Sequence, residues 1–286
     1  MKSDNSMSLS LFINIIILFF LLFSPSGWTQ SINLATGKNN QPIEITADNG
    51  IEWQRNNQLM IASGKARATR GNTSVEADTL QAFYQKDKNG GSDLSKIKAI
   101  GRVKITSPTQ ILTGEMGVYD LTTGILVITG KNVLLISGKN TIKANQQLEY
   151  YEKKAMAVAR KNARANHDGK RLRADTLVAL FYRDKMGKTQ LSRVQAFDNV
   201  RIVTNTESIW ANKGIYDVGS GIATLDGNIR ITRDGNQLNG DSAIINLTTG
   251  ISKLLTSSNA QLPSNIENNS RRKKKRVRGY LRSKRK

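Results

Sequence analysis

The chain has 286 residues, of which 38% are hydrophobic, and this is enough to bury one sizeable core. With no cysteine and a single histidine, it can build neither a disulfide framework nor a metal site from cysteine and histidine ligands. Lysine and arginine number 43 against 22 acidic residues, so the formal net charge is +21.

The N-terminal region has the features of an export signal. An apolar run from Leu9 to Phe23 follows Lys2 and is interrupted only by Ser10 and Asn14. This length is typical of a signal-peptide core and is short for a membrane span. We therefore interpret residues 1–29 as a signal peptide, with an uncleaved membrane anchor as the alternative, and residues 30–41 as a short linker. In both cases we expect the remaining chain to be exported.

A short pattern then returns seven times: an apolar residue, an Ala or Gly, usually an acid or Asn, and an aromatic about five residues later. The spacings between the Ala or Gly anchors are 30, 37, 30, 30, 37 and 29 residues, so three units make a larger repeat of 97 residues. Self-similarity at a fixed period indicates stacked units that cannot bury their apolar faces alone. The anchors are Ala47, Ala77, Gly114, Ala144, Ala174, Ala211 and Gly240.

Within each unit the apolar residues mostly alternate, which places their side chains on one face of a strand. Gly- and Asn-rich turns separate the apolar runs, so each unit is predicted to be an antiparallel hairpin, about fourteen strands in all. The stretch from Gln146 to Ala165 has the composition of a helix, but it occupies the fourth unit of the repeat and is therefore predicted as strand. The sequence predicts an all-β protein.

Catalytic chemistry is not indicated. His167 lies in a predicted turn and is interpreted as an exposed turn residue. The acids Asp48, Asp78, Asp175 and their equivalents recur at one position of each unit, which favours a repeated turn or strand-edge role over a catalytic pair. We predict neither an enzyme nor a cofactor.

The C-terminal end changes character twice. Residues 258–270 are polar and unpatterned and are interpreted as a linker. Residues 271–286 hold eleven basic residues and no acid, and they are predicted to be disordered. Such a tail can bind an anionic membrane surface or serve only as a solvated extension, whereas export argues against nucleic acid. The predicted phosphate- and membrane-binding residues are Arg271, Arg272, Lys273, Lys274, Lys275 and Arg276.

Several of the repeated motifs resemble the OstA-like family of lipopolysaccharide transport proteins. The motifs are Ile43-Glu-Ile-Thr-Ala-Asp48, Val75-Glu-Ala-Asp78, Leu112-Thr-Gly-Glu115 and Leu238-Asn-Gly-Asp241, with strand endings such as Gly101-Arg-Val-Lys-Ile105. The resemblance covers residues 42–257. It is strongest to LptA, and LptC and the N-terminal domain of LptD share the fold. It implies a twisted, open β-jellyroll with an apolar interior that holds lipid acyl chains.

The resemblance also implies a function. We expect a periplasmic lipopolysaccharide-binding protein that shields acyl chains and bridges the inner and outer membranes, with LptC-like and LptD-like proteins as partners. Head-to-tail self-association would use the terminal strands, Ile43 to Ala47 and Ile251 to Leu255. An anchored LptC-like component and a structural or adhesive β-repeat protein without ligand are the alternatives. The predicted lipid-facing residues are Ile45, Ile51, Trp53, Ile61, Val75, Leu80, Ile97, Ile105, Val118, Ile142 and Val158.

Overall fold

A computed structural model describes residues 43–86, 91–167, 169–205, 207–246, 249, 251–256 and 277–280. The described residues form strands joined by turns, with one short 3₁₀ turn at Glu152–Lys154 and no α-helix, so the predicted all-β class is confirmed. Within this part of the chain no helix is long and apolar enough to cross a membrane. The predicted signal peptide and the 30–41 and 258–270 linkers lie outside the described residues.

The described strands are numbered in chain order. They are β1 Glu44–Thr46, β2 Ile51–Gln54, β3 Leu59–Arg70, β4 Thr73–Lys86, β5 Ser92–Thr106, β6 Gln110–Asp120, β7 Ile125–Thr129, β8 Val133–Ser137, β9 Asn140–Ala144, β10 Gln147–Tyr151, β11 Met156–His167, β12 Lys170–Arg183, β13 Thr189–Val203, β14 Glu207–Asp217, β15 Ile222–Arg233, β16 Asn236–Asn246, β17 Ile251–Leu255 and β18 Arg278–Tyr280.

The 97-residue repeat is visible in the strand boundaries. Strands β3, β4, β5 and β6 begin and end 97 residues before β11, β12, β13 and β14; for example, 59 + 97 = 156 at the first residue of β3 and β11. The stretch from Gln146 to Ala165, whose composition suggested a helix, forms β10, the 3₁₀ turn and most of β11. The strand prediction is therefore confirmed there, because cross-strand pairing and burial override a weak local preference.

The long strands kink midway. The registers of the β3–β4, β5–β6, β13–β14 and β15–β16 ladders each shift by one residue at this point. Two consecutive residues there adopt left-handed backbone angles, for example Gly101 at φ 76° and Arg102 at φ 46°. Such β-bulges bend and twist the strand. The kinks fall at Gly64/Lys65, Gly101/Arg102, Lys161/Asn162, Asp198/Asn199 and Gly227/Asn228.

The Ala or Gly anchors lie opposite these kinks, where room for a side chain is small. Ala77 pairs with Ala66 and Gly114 with Val103, each directly beyond a register shift. A Cβ on Gly114 would collide with Ile128, and a Cβ on Gly240 would lie 2.7 Å from Leu254 Cγ. The repeated small residues are therefore required by close approach of side chains at the bends.

The recurring polar residue after each anchor binds the kink of the neighbouring strand. Asp78 pairs with Arg102, and Asn199 Nδ2 donates to Asp175 Oδ2 at 2.6 Å. A second recurring set of acids closes turns: the Thr123 N–H donates to Asp120 Oδ1 at 2.9 Å, and this hydrogen bond lowers the pKa of Asp120. The predicted turn and strand-edge role of these acids is confirmed.

The chain divides into two compact units, which are described separately. One unit holds the described residues of 25–165 and 178–191, and we call it the first unit. The second unit holds the described residues of 166–177 and 192–286.

Candidate functional site

In the first unit, cross-strand pairing aligns apolar side chains in rows that run across the antiparallel strands. Directly paired residues point to the same face of a sheet, so each row belongs to one face. The first row lies on one side of the kinks and crosses seven strands. It consists of Ile45, Ala68, Val75, Ile105, Leu112, Leu135 and Ile142.

Two further rows lie on the other side of the kinks. The second row consists of Ile51, Ala62, Leu80, Ala99, Gly117, Ile128, Leu148 and Ala159, and the third row of Trp53, Met60, Ala82, Ile97, Tyr119, Leu126, Tyr150 and Ala157. Members of all three rows belong to one hydrophobic core. The bent strands thus pack their two halves on a shared apolar interior, as expected of the OstA-like β-jellyroll.

A small cleft lies in the interior of the first unit, beside β1. Its volume is about 60 Å³, and it lies between the first row and the third row. Ile45 and Ala68 line one wall, and Met60, Ala82 and Ile97 line the other. A typical ligand pocket measures roughly 300–1,000 Å³. This cleft is therefore too small to hold a typical ligand.

The structure places most of the predicted lipid-facing residues on this interior. Val75, Leu80, Ile97 and Ile105 are buried, and Ile45 and Ile142 are partly buried members of the first row. Ile51 and Trp53 belong to the second and third rows but lie on β2, where they are 48% and 65% exposed.

Three predicted residues lie on the face opposite the three rows, although Val158 is itself buried there. Ile61 lies between Met60 and Ala62, which face inward, and Val158 is its equivalent 97 residues later. The prediction failed there because this stretch is apolar on both faces. Val118 pairs with Lys98 and Val127, outside the core. In a regular strand every second residue after Leu112 would face inward, which predicts Val118. The kink shifts the inward position by one residue, to Tyr119.

The aromatic residues of the third row, apart from Trp53, are not among the predicted lipid-facing residues, although the sequence favoured core or cross-strand packing for them. Tyr119 pairs with Leu126, which pairs with Tyr150, and both rings pack in or against the core. The Tyr119 hydroxyl donates to Glu152 Oε2 at 3.2 Å, and burial together with this carboxylate raises the pKa of Tyr119. The sequence feature that points to these positions is the aromatic residue that recurs in each unit. Tyr119 and Tyr216, for example, occupy equivalent positions.

A buried polar network lies on the outer face of the first unit. Only 3% of the Glu149 side chain is exposed, and it is paired with Arg160 Nε at 2.5 Å. Tyr151 and Gln147 also donate to its carboxylate. Burial would raise the pKa of Glu149, but the hydrogen bonds from Arg160, Tyr151 and Gln147 outweigh burial and lower it.

The second unit repeats the apolar interior and adds a charged outer face. Ile202, Ile209 and Ile231 pair across β13, β14 and β15. On the outer face the Trp210 ring stacks between two guanidinium groups, with Arg201 at 5.2 Å and Arg230 at 4.1 Å from its centroid. The same row continues through further cross-strand pairs. We call it the arginine row: Arg201, Trp210, Arg230, Asn239 and Arg278.

The last member of the arginine row belongs to the C-terminal tail. Strand β18, Arg278–Tyr280, pairs antiparallel with Gln237 to Asn239 of β16. At these residues the predicted disorder of the tail is wrong, because backbone pairing to a sheet edge needs no apolar core of its own. The predicted membrane-binding residues 271–276 lie outside the described residues.

Glu207 is a buried acid of the second unit. It is 5% exposed, its Oε1 has no hydrogen-bond partner, and it faces Arg233 across β14 and β15. Burial raises the pKa of Glu207, and the charge of Arg233 offsets this only in part. Gln110 occupies the equivalent position 97 residues earlier.

We expect Glu207→Gln to stabilise the protein by about 1 kcal/mol at pH 7. An acid with a raised folded-state pKa favours folding below its unfolded-state pKa and loses that contribution as the pH rises through the folded value. The gain should therefore vanish below about pH 4, where Glu207 is neutral in both states. Denaturant unfolding of both proteins from pH 3 to pH 8 measures this, and a less stable variant at pH 7 would contradict it.

The fold and its sites define a class: an internally duplicated antiparallel β-protein with an apolar interior in each of its two units and, in its described part, no cluster of potential metal ligands. The sequence matches the family of LptA/(LptD N-terminal domain) LPS transport proteins over residues 44–155 and again over 141–251. The two matches start 97 residues apart, since 141 − 44 = 97, which is the length of the internal repeat. The chain belongs to this family.

Two individual proteins are also similar. An uncharacterised protein of Rhizobium meliloti (strain 1021) is 32% identical over 106 residues, which are 36% of this chain and 56% of that protein. The match therefore spans little more than half the length of this relative. The crystal structure of LptH, the LptA homologous periplasmic component of the lipopolysaccharide transport device from Pseudomonas aeruginosa, aligns with 85% of this chain and 96% of its own, at 12% identity and a TM-score of 0.21.

Proposed function

We propose that this protein binds lipopolysaccharide in the periplasm and shields its acyl chains during transport between the two membranes. The observation that carries this proposal is the set of continuous apolar rows in the first unit, seven or eight strands wide. Each methylene transferred from water to an apolar site contributes about 0.8 kcal/mol, so a multiply acylated lipid needs such a path to cross an aqueous gap.

Binding requires the interior to open. The cleft between Ile45 and Ala68 on one wall and Met60 and Ala82 on the other is far too small for an acyl chain. Five of the fourteen buried residues of this core are alanines. Short side chains interdigitate little, so we propose that the two walls separate with a modest loss of packing. The lipid's own chains then replace the lost contacts. We place the entry at this cleft, beside β1.

The terminal strands provide the proposed bridge. β1 pairs with β3, and β17 pairs with β16, so each lies at one end of the described repeat. Edge strands present N–H and C=O groups that a second strand can bind. We propose that head-to-tail copies, and LptC-like and LptD-like proteins at the two ends, add strands at β1 and at the edge where β17 pairs with only part of β16. No catalytic step is needed in this role, and energy for transport comes from a partner.

The composition of the C-terminal tail suggests that the protein also contacts a membrane surface. Residues 271–286 carry eleven basic residues, and Arg278 extends the arginine row on the outer face. Each basic residue near an anionic bilayer contributes about 1 kcal/mol. We propose that the tail binds phosphate-bearing envelope surfaces.

Site-specific photo-crosslinking at adjacent residues tests the lipid site. Met60 lines the cleft, whereas Ile61 points to the opposite face of the same strand. A photoreactive amino acid at residue 60 is expected to capture lipopolysaccharide in cells, several-fold more than the same group at residue 61. Both variants should be matched for folding by circular dichroism. Equal labelling, or preferential labelling at residue 61, would refute the proposed interior site.

A further inference from the structure

The edge of β16 is shared by two strands from different parts of the chain. β15 pairs with one side of β16 along its length. On the other side, β17 pairs with Ser242 to Asn246, and the tail strand β18 pairs with Gln237 to Asn239. β18 therefore lies on the part of this edge that β17 leaves unpaired, although 22 residues separate Leu255 from Arg278 in the sequence (278 − 255 − 1 = 22).

The residues of β18 fit this position. Gly279 lies opposite Leu238, and a Cβ at Gly279 would be 3.1 Å from Leu238 Cδ2, so the absent side chain allows the close approach. Leu238 ends the apolar row of the second unit and is 38% exposed even with β18 in place. On the other face Arg278 lies opposite Asn239 and adds a third cation to the arginine row.

The same strand is held weakly. It contains three residues, all exposed, and isolated pairings of this length are marginal in water. Basic residues precede and follow it in the sequence, with Arg271 to Arg276 on one side and Arg282, Lys284, Arg285 and Lys286 on the other. These like charges repel one another and favour release of the tail over further pairing.

We propose that β18 is an intramolecular cap on the β16 edge, which a strand of a second copy of this chain must displace before it can bind. This inference rests on the head-to-tail association of the proposed function and adds its regulation. The incoming strand would continue the line of β17 over Gln237 to Asn239 and cover Leu238. A longer strand displaces a three-residue strand because it forms more backbone hydrogen bonds and buries more apolar surface. The cap thus weakens the association of free copies, because each contact must first displace β18.

A disulfide lock tests the cap. Leu238 and Gly279 are directly opposite, and paired Cα atoms in antiparallel strands lie roughly 4.5–5.5 Å apart, within the range of a disulfide. The natural chain has no cysteine, so Leu238→Cys combined with Gly279→Cys introduces the only two thiols. We expect the intramolecular disulfide to form on mild oxidation. The oxidised variant is then compared with the same variant after reduction and alkylation by sedimentation across a concentration series. At concentrations at which the reduced protein associates, the oxidised protein should remain monomeric.

Deleting residues 271–286 from the natural chain is the second arm, and we expect it to strengthen association at least tenfold. Failure of the disulfide to form would overturn the β16–β18 pairing. Equal association of the oxidised, reduced and truncated proteins would overturn the cap and leave the bridge intact. If the disulfide forms but no form associates at any concentration, head-to-tail association itself is refuted, and the cap loses its role with it.

Discussion

Replacing Arg160 by methionine is expected to lower the free energy of unfolding by about 2–4 kcal/mol. The substitution leaves the buried carboxylate of Glu149 without its counter-charge, and breaking a buried pair typically costs about 3–5 kcal/mol. We expect the lower part of that range because the Arg160 side chain is 43% exposed, so water can replace part of the lost interaction. Denaturant unfolding monitored by circular dichroism measures the change.

A double variant separates the charge from the packing. Arg160→Met combined with Glu149→Gln removes both charges and should recover more than half of the lost stability. The pH dependence gives a second test. The pKa of Glu149 is lowered in the folded state, so its contribution is present above its unfolded pKa and is lost as the pH falls through the folded pKa. The difference between the natural protein and Arg160→Met should therefore shrink below about pH 4. A pH-independent difference would show that the arginine acts through packing alone.

Replacing Gly101 by alanine is expected to cost about 2–3 kcal/mol. Gly101 has φ 76° at a strand kink, and a Cβ there would collide with the carboxylate of Asp78, which is held by Arg102. The left-handed backbone alone disfavours alanine by about 1 kcal/mol. The collision with the Asp78 side chain supplies the rest. The loss should appear as a lower unfolding midpoint in denaturant.

Gly138 provides the matched control. It also has a positive φ, 55°, but no atom lies within 4 Å of its Cβ position, so Gly138→Ala should cost only about 1 kcal/mol. Adding Asp78→Ala to Gly101→Ala removes the carboxylate with which the new Cβ collides. The double variant should therefore lose less stability than the sum of the losses in the two single variants. If the losses of stability in the two single variants simply add in the double variant, Asp78 does not constrain the kink at Gly101.

These tests address the property on which the proposed function depends. The kinks direct both halves of each strand onto one interior, and the Gly and Ala residues at the bends let those halves approach closely. A chain that loses its kinks would keep its strand pairing but expose the apolar rows. Stability and lipid shielding are therefore expected to fall together in variants of the kink residues.

The sequence by itself determined the strands, the repeat and the structural role of the recurring acids. Alternation fixes strand identity locally, and the 97-residue period reappears in the boundaries of β3 to β6 and β11 to β14. The spacing of Asp78 and Asp175 already argued against a catalytic pair, and the structure places both at kinks. Six of the predicted interior residues lie on the first, second or third row with buried or partly buried side chains: Ile45, Val75, Leu80, Ile97, Ile105 and Ile142.

The tertiary structure alone decided which face of several strands is inward and how the edges are covered. At Ile61 and Val158 both faces carry apolar residues, and at Val118 a one-residue bulge moves the inward position, so alternation within the strand could not identify the face. Pairing of β18 with β16 joins residues about forty positions apart. Cross-strand register depends on such non-local partners, because the backbone groups of a strand accept any neighbour whose side chains fit, and the local sequence does not specify which neighbour that is.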